Sequence, residues 1–215
     1  MNVLSLIDEL SSFSSKNVFN PYRDVCPIND NEKSPLIRKE NLKKYLENMI
    51  LRRPGFGWIG RDLGYRGGKR TGLPLTDESS LKKMELLYRI NGLEKSTISP
   101  EVTERTATEI WSEISKIQQL PFLWNVFPFH PHEAGNFDSN RAHTAKELSN
   151  ARFIAWEVFK GFEFDVILSL GRDAEKLMNS FGYKSIYIRH PSYGGLKAFR
   201  KSISKIYSIY KLEVL

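Results

Sequence analysis

The chain has 215 residues, of which 40% are apolar and 12% aromatic, and its formal net charge is +7 at pH 7. This composition can bury one sizeable core, so we expect a single domain spanning 1–215, and the positive charge suits a polyanionic partner such as nucleic acid, with a solvated basic surface as the plain alternative. Cys26 is the only cysteine, which excludes an internal disulfide, a cysteine-ligated zinc site and a four-cysteine iron–sulfur cluster.

The N-terminal stretch MNVLSLIDELSSF does not have the pattern of a signal peptide. It lacks a basic region, and Asp8 and Glu9 follow after a few apolar residues. No apolar run in the chain is long enough to span a bilayer. With one cysteine and no targeting segment, we expect a cytoplasmic protein that has no membrane partner.

Helical and strand patterns alternate along the chain. Apolar residues recur at helical or strand spacing in the following order: helix 39–51, strand 56–59, helices 78–90 and 104–118, strand 122–127, helix 145–160, strand 164–170, helix 172–181, strand 185–189 and helix 196–210. Thr144 and Glu147 form the T-x-x-E capping box expected where a helix begins. The order predicts an α/β fold, with a mostly parallel sheet between helices and a ligand at the carboxyl ends of the strands. The segment 20–35 is rich in Asn, Asp and Pro and is expected to be an ordered loop, with a flexible linker as the alternative.

A glycine-rich basic loop, GRDLGYRGGKRTG over 60–72, follows the first predicted strand. It does not match the nucleotide-triphosphate loop, because Leu63 stands where the first glycine is required and Arg70 follows Lys69. It does not match the dinucleotide fingerprint either. The loop must therefore hold another kind of ligand.

Three loops leave the carboxyl ends of the predicted strands, over 60–77, 128–143 and 190–195. Polar side chains from separate strands that meet at one end of a sheet are a usual way to build a site. The second loop contains His130, His132 and His143. The H-x-H pair could suggest a metal, but without a third ligand structural hydrogen bonding is the better interpretation, and we expect no metal.

Four segments resemble the motifs of the uracil-DNA glycosylase superfamily, in a branch without an iron–sulfur cluster. They are GRDLGYRG with RTGLPLTDE over 60–78, TATEIW over 106–111, WNVFPFHPH over 124–132, and RHPSYGG over 189–195. The resemblance covers about residues 20–199 and keeps the family's motif order. Each motif alone is weak, whereas all four together are specific. The resemblance implies a three-layer α/β/α sandwich with a central four-stranded parallel sheet, DNA as the partner, and no cofactor.

The resemblance also implies an activity. Family enzymes flip a damaged or modified pyrimidine, uracil or a 5-substituted base, out of DNA and hydrolyse its N-glycosidic bond, which leaves an abasic site. Asp62 matches the position that orients a water and stabilises the cationic sugar. His190 matches the histidine that donates to the base oxygen O2 as charge develops. Asn125 matches the asparagine that reads the Watson–Crick edge, with a strand-end capping role as its plain alternative.

Other motif positions are expected to contact the base or the DNA backbone. The expected base-binding residues are Gly60, Gly64, Tyr65, Leu75 and Asn125. The expected DNA-binding residues are Arg66, Lys69, Arg70, Ser192, Tyr193, Gly194, Lys197 and Arg200. Each has a plain alternative, because glycines make turns and isolated surface cations are usually solvated. Tyr193 and Leu196 are candidates to fill the gap left by the flipped nucleotide, and core packing explains Leu196 equally well.

Two positions depart from the family pattern and bear on the substrate. Leu75 stands where several branches have a phenylalanine that stacks on the base, and Gly64 replaces a tyrosine that blocks the pyrimidine 5-position in the strictest uracil enzymes. We therefore expect room for a 5-substituent. One hypothesis is that the enzyme excises bulky modified cytosines, such as glucosylated hydroxymethylcytosine, from phage DNA as antiviral defence.

Two alternatives from other classes remain. A catalytically silent, lesion-sensing DNA-binding protein could use the same pocket, but a carboxylate such as Asp62 beside bound DNA would only weaken binding. A small-molecule nucleoside hydrolase is disfavoured by the basic C-terminal region, since 182–215 contains seven Lys or Arg residues and one acid. We expect the protein to act as a monomer.

Overall fold

A computed structural model describes residues 1–192 and 194–212. Its helices are α1 (Val3–Ser12), α2 (Ser34–Arg52), α3 (Gly68–Thr71), α4 (Leu81–Tyr88), α5 (Arg105–Ile114), α6 (Ala145–Phe159), α7 (Arg172–Ser180) and α8 (Leu196–Ile209). Its strands are β1 (Val18–Phe19), β2 (Phe56–Asp62), β3 (Phe122–Phe127), β4 (His130–Pro131), β5 (Val166–Leu170) and β6 (Ser185–Ile188). A short 3₁₀ turn, Glu78–Ser80, precedes α4.

The central sheet has four strands in the order β3-β2-β5-β6, and every neighbouring pair is parallel. Helices flank it, which confirms the predicted α/β/α sandwich. The strands β2, β3 and β5 are buried along almost their whole length, as strands covered on both faces should be. A small antiparallel pair, β1 with β4, lies outside this sheet.

Aromatic side chains fill much of the space between the sheet and its helices. Trp58 of β2 meets Phe199 of α8 edge to face, with ring centroids 6.1 Å apart. Phe122 of β3 packs against Phe162 at 4.4 Å. The Tyr45 hydroxyl of α2 accepts the Leu123 N–H at 2.6 Å, which ties that helix to β3. Large rings of this kind contribute most of the area buried in a core.

The strand β2 extends beyond its predicted end at Ile59, and this extension matters for the site. Gly60 pairs with Asn125 and Asp62 pairs with Phe127 of β3. The apolar pattern ended the predicted strand too early, because a glycine and two charged residues follow Ile59. As a result, Asp62 is held by the sheet itself and not by a loop.

Helix boundaries agree with the predictions to within a few residues, with three informative differences. The helix α1 was not predicted, although Leu6, Ile7 and Leu10 form its buried face. The helix α2 begins at Ser34, because Pro35 fits the first turn of a helix. The predicted helix 78–90 starts as a 3₁₀ turn and ends at Tyr88.

The capping box at α6 is present as predicted. Thr144 accepts the Glu147 N–H at 3.2 Å, and the Glu147 carboxylate accepts the Thr144 N–H at 2.7 Å. The 20–35 segment is fastened at its start, where the Asn20 amide donates to Leu10 O at 2.7 Å and to Phe13 O at 3.0 Å. Cys26 is a free thiol and is fully buried. Within 1–192 and 194–212, no helix is both long and apolar enough to cross a membrane.

Candidate active site

Asp62 and Asn125 lie side by side at the carboxyl edge of the sheet. The Asn125 amide nitrogen donates to the backbone oxygen of Asp62 at 3.0 Å. Asn125 is only 2% exposed, and its Oδ1 has no hydrogen-bond partner in the described part of the chain. A buried unpaired oxygen is costly, so this amide is prepared to accept a hydrogen bond from a ligand.

Both carboxylate oxygens of Asp62 have protein partners. Arg61 Nε donates to Oδ2 at 2.6 Å, and Nδ1 of His143 forms a hydrogen bond with Oδ1. The side chains of Asp62 and His143 are each 7% exposed. These contacts fix the orientation of the Asp62 carboxylate.

His143 is a candidate functional residue that the sequence motifs did not identify. It lies in the loop before α6, and the Thr144 cap fixes the backbone directly after it. Arg141 closes the same loop by a bidentate pair with Glu147, at 2.7 and 2.9 Å. The sequence shows a histidine directly before a predicted cap, but its contact with Asp62 depends on how the loop folds back.

His190 follows β6, and Arg61, which pairs with Asp62, lies near enough to act on its charge. Burial, and after it the positive charges of Arg61 and Arg189, lower the pKa of His190 to about 4. Arg61 also contacts Asp173 at 3.4 Å, so this guanidinium lies between β2 and the start of α7. The imidazole is therefore neutral at pH 7, at the same sheet edge as Asp62.

The tautomer of His190 follows from its contacts. The Ser192 N–H donates to Nδ1 at 3.3 Å, and the Ser192 hydroxyl lies 2.7 Å from the same nitrogen. Because Nδ1 accepts a hydrogen bond, the proton of the neutral ring is on Nε2. Gly195 closes this turn, since its N–H donates to Ser192 O at 3.0 Å and a Cβ at Gly195 would overlap His190 O.

Gly60 and Leu75 border the Asn125 amide. A Cβ at Gly60 would lie 2.7 Å from Leu75 Cδ2 and 2.8 Å from Asn125 Nδ2, so only glycine lets these side chains approach. Leu75 has φ of 53°, an unfavourable backbone conformation for a leucine. Strain of this kind persists where the surroundings hold a residue in place.

The structure corrects the expectation of open space beside Gly64. The Glu104 carboxyl occupies that space, where a Cβ at Gly64 or at Gly67 would overlap its oxygens. Burial and the nearby Asp77 carboxylate raise the pKa of Glu104 to about 7, and Arg66 opposes this. A bulky group beside Gly64 would require the Glu104 side chain to move.

The expected phosphate contacts of Lys69 and Arg70 are also corrected. Lys69 is 1% exposed and donates to Asp138 at 2.8 Å and to Phe137 O at 2.7 Å. Arg70 is 4% exposed and pairs with Glu78 at 2.8 Å. Sequence could not distinguish these cations from surface ones, because their acidic partners come from other segments. They brace the glycine-rich loop from inside.

The other residues expected to contact DNA differ in exposure and in their partners. Arg66, Gly194, Lys197 and Arg200 are exposed, and Ser192 is half-buried. Arg200 pairs with Glu109 at 2.7 Å. The Tyr65 N–H donates to Asn140 Oδ1 at 3.0 Å, and Arg66 lies over the Tyr65 ring at 5.3 Å. Tyr193 lies outside the described residues.

The H-x-H pair makes structural hydrogen bonds. Nδ1 of His130 lies 2.8 Å from Leu63 O and Nε2 lies 3.3 Å from Phe137 O, and Nδ1 of His132 lies 2.8 Å from Glu133 O. Burial lowers the pKa of His130 to about 4. Within 1–192 and 194–212, no group of three or more His, Cys, Asp or Glu side chains could hold a metal ion.

The fold and the site together define an α/β/α protein with polar side chains gathered at the carboxyl edge of a four-stranded parallel sheet. The solved structure of SMUG2 from Pedobacter heparinus is similar, with a TM-score of 0.61 and 16% sequence identity. The similarity covers 97% of this chain and 98% of that one, and at this identity it establishes the fold. No family model and no curated protein matches the chain.

Proposed function

We propose that this protein is a DNA glycosylase that hydrolyses the N-glycosidic bond of a pyrimidine flipped out of DNA. The single observation that carries the proposal is the placement of a carboxylate, Asp62, a buried amide, Asn125, and a neutral imidazole, His190, at one sheet edge. The shared fold with SMUG2, a DNA glycosylase, supports it. The motif resemblance supports it independently.

His190 acts on the leaving base. As the bond between C1′ and the base nitrogen breaks, the base takes the bonding electron pair and negative charge develops on its carbonyl oxygen. The Nε2–H of neutral His190 donates a hydrogen bond to that oxygen. Because the ring is held neutral, it stabilises the charge by donating a hydrogen bond and keeps its proton. One such donor typically contributes about 3 kcal/mol of transition-state stabilisation.

Asp62 acts on the sugar. Its carboxylate stabilises the positive charge that develops at C1′ and orients a water whose oxygen then forms the new bond to C1′. The proton of that water is released and balances the base anion. The hydrogen bonds from Arg61 and His143 keep the carboxylate aimed during this change, so no reorganisation is needed as charge appears.

Asn125 selects the base. Its amide nitrogen is committed to the Asp62 backbone, which leaves Oδ1 free to accept from an N–H of the flipped base. Gly60 and Leu75 provide the close, apolar surface beside it. Leu75 offers contact but no ring for stacking, which would otherwise contribute about 1 to 3 kcal/mol per base.

The proposal is tested with duplexes that differ in one base: uracil, hypoxanthine, thymine, 5-hydroxymethyluracil or glucosylated hydroxymethylcytosine. Alkali-induced strand cleavage reports abasic sites. We expect the wild type to release at least one base and Asp62→Asn to be slower by about 10² to 10³-fold. Asp173→Asn is the control, because it also removes a carboxylate from Arg61 but leaves Asp62 in place. Binding without an abasic site on any duplex would instead identify a lesion-sensing protein.

Release of glucosylated hydroxymethylcytosine would support a role in defence against phage DNA. In that case the Glu104 side chain must swing away from Gly64 to admit the sugar. Release of uracil alone would rule out the defence hypothesis and leave general repair.

A further inference from the structure

Glu104 is a titratable group beside the proposed base pocket that the mechanism does not use. It precedes α5, and its backbone N–H donates to Asp77 Oδ2 at 2.6 Å. Its carboxyl group reaches the glycine-rich loop and fills the space over Gly64 and Gly67. We call these two glycines and the carboxyl above them the carboxyl wall.

A series of contacts connects the carboxyl wall to Asn125. The segment 75–77 begins with Leu75, which touches Gly60 next to the Asn125 amide. Its Thr76 O would lie 3.6 Å from a Cβ at Gly67, and Asp77 then holds the Glu104 backbone. The carboxyl wall therefore lies at one end of this segment, and the Asn125 amide lies at the other. In the sequence, Asp62 comes between Gly60, beside the amide, and Gly64, in the wall.

The carboxyl oxygens of Glu104 receive no hydrogen bond from any residue in 1–192 or 194–212. Glu78, in the same region, is by contrast an acid with several partners. It pairs with Arg70 at 2.8 Å and accepts hydrogen bonds from the Thr97 hydroxyl and from the Val102 N–H. Neither Glu104 oxygen is fully enclosed, in contrast to Asn125 Oδ1, so the carboxyl can be reached by water or by a ligand. The two glycines that make room for it indicate that it has a use in the bound state.

We propose that Glu104 is a specificity-determining residue, and that its carboxyl group accepts a hydrogen bond from a donor on the flipped base, either an exocyclic amino group or the hydroxyl of a 5-hydroxymethyl substituent. This inference rests on the proposed glycosylase function. A base with a methyl group in place of this donor would leave the Glu104 carboxyl without a hydrogen bond, and the methyl group would crowd the carboxyl. The raised pKa of Glu104, about 7, agrees with a carboxyl that lacks partners until a base binds.

The test compares single-turnover release from duplexes that differ only in the donor. One series holds 5-hydroxymethyluracil and thymine, and the other holds cytosine and uracil. We expect the wild type to prefer the donor-bearing base in at least one series by about tenfold or more, since a polar site discriminates strongly against a partner that leaves it unpaired. The hydroxymethyl series tests a hydroxyl donor and the cytosine series an amino donor.

The variants decide whether Glu104 is the cause. Glu104→Ala should bring the preference to within about twofold, and Glu104→Gln, which keeps an acceptor oxygen, should retain part of it. Glu101→Ala, an exposed acid in the same loop, is the matched control and should keep the wild-type ratio. Thermal unfolding verifies that each variant is folded.

The outcomes separate this inference from the function on which it rests. If the wild type releases bases but shows no preference for a donor, or if the folded Glu104→Ala variant keeps the wild-type preference, the inference is overturned and the glycosylase proposal stands. If the wild type releases none of these four bases but releases another base in the test of the proposed function, the inference is overturned and the glycosylase proposal stands. If it releases no base in either test, both are overturned.

Discussion

His190 has an ordinary side chain whose chemistry is set by its surroundings. Its folded-state pKa of about 4 lies below the value of about 6.5 for a free imidazole. The folded state therefore binds this proton less readily than the unfolded state, and stability is lost as pH falls from about 6.5 toward about 4. Above that window the ring is neutral in both states, and its contribution no longer changes with pH.

The prediction for His190 is a neutral Nε2–H tautomer throughout pH 5.5 to 8. Long-range ¹⁵N–¹H correlation spectra of the imidazole should show one protonated and one unprotonated nitrogen across this range, with titration only near pH 4. His190→Asn should lack those signals and should release the base about 10² to 10³-fold more slowly. A titration of His190 near pH 6.5 would contradict the assignment.

His143 is predicted to act through Asp62. His143→Ala removes the hydrogen bond to Oδ1 and lets the carboxylate rotate, so we expect the single-turnover rate to fall by about tenfold or more while the dissociation constant for duplex DNA changes little. His132→Ala is the comparison, since that imidazole contacts a backbone oxygen and not Asp62. Equal losses of rate in both variants would indicate general loosening of the loop.

At the scale of elements, the turn between β6 and α8 depends on Gly195. A Cβ there would overlap His190 O, which is backbone and cannot move aside cheaply. Gly195→Ala should therefore displace His190, lower the rate of base release, and remove the single-tautomer pattern expected in the imidazole NMR spectra. If Gly195→Ala keeps the wild-type rate and His190 spectrum, this close approach has no role in positioning the imidazole.

The cap of α6 gives a second prediction at this scale. Thr144→Ala removes the side-chain acceptor for the Glu147 N–H and should lower the free energy of unfolding by about 1 kcal/mol. Ser149→Ala, at an exposed position within the same helix, should change it by less than about 0.5 kcal/mol. Chemical denaturation of both variants measures the difference.

Elements with strong local signals could be predicted from sequence, and those fixed by distant contacts could not. The strand β3 and the capping box of α6 agree with the pattern because apolar periodicity and cap chemistry are local. The predicted strand ends too early, at Ile59, because the last residues of β2 are held by pairing with β3 and have no apolar pattern of their own. The motifs identified Asp62, Asn125 and His190, because motif matching needs only the local sequence. The contacts of His143, Glu104, Lys69 and Arg70 could not be predicted, because their partners come from distant parts of the chain.

At the scale of the whole molecule, the net charge of +7 overstates how many cations face solvent. Arg38, Lys69 and Arg70 are all less than 5% exposed, and each pairs with an acid. Exposed positive charge recurs along α8, at Lys197, Lys201 and Lys205. If DNA binds there, affinity should depend steeply on salt.

The prediction for α8 concerns that salt dependence. Replacing Lys197, Lys201 and Lys205 by alanine should weaken DNA binding and reduce the slope of log K against log salt by about 1 for each lysine that contacts a phosphate. Lys83→Ala, an exposed lysine of α4, is the control for loss of charge alone. Fluorescence anisotropy over a range of salt concentrations gives the slopes. An unchanged slope in the triple variant would place the DNA elsewhere.

The burial of Cys26 makes the protein well suited to site-selective labelling. With the native thiol fully enclosed, thiol-directed reagents should leave it unmodified in the folded state. A second cysteine introduced at an exposed position such as Ser204 would then be the preferred target for a fluorophore, without any need to remove the native one. Such a probe could report in real time on how α8 approaches a duplex.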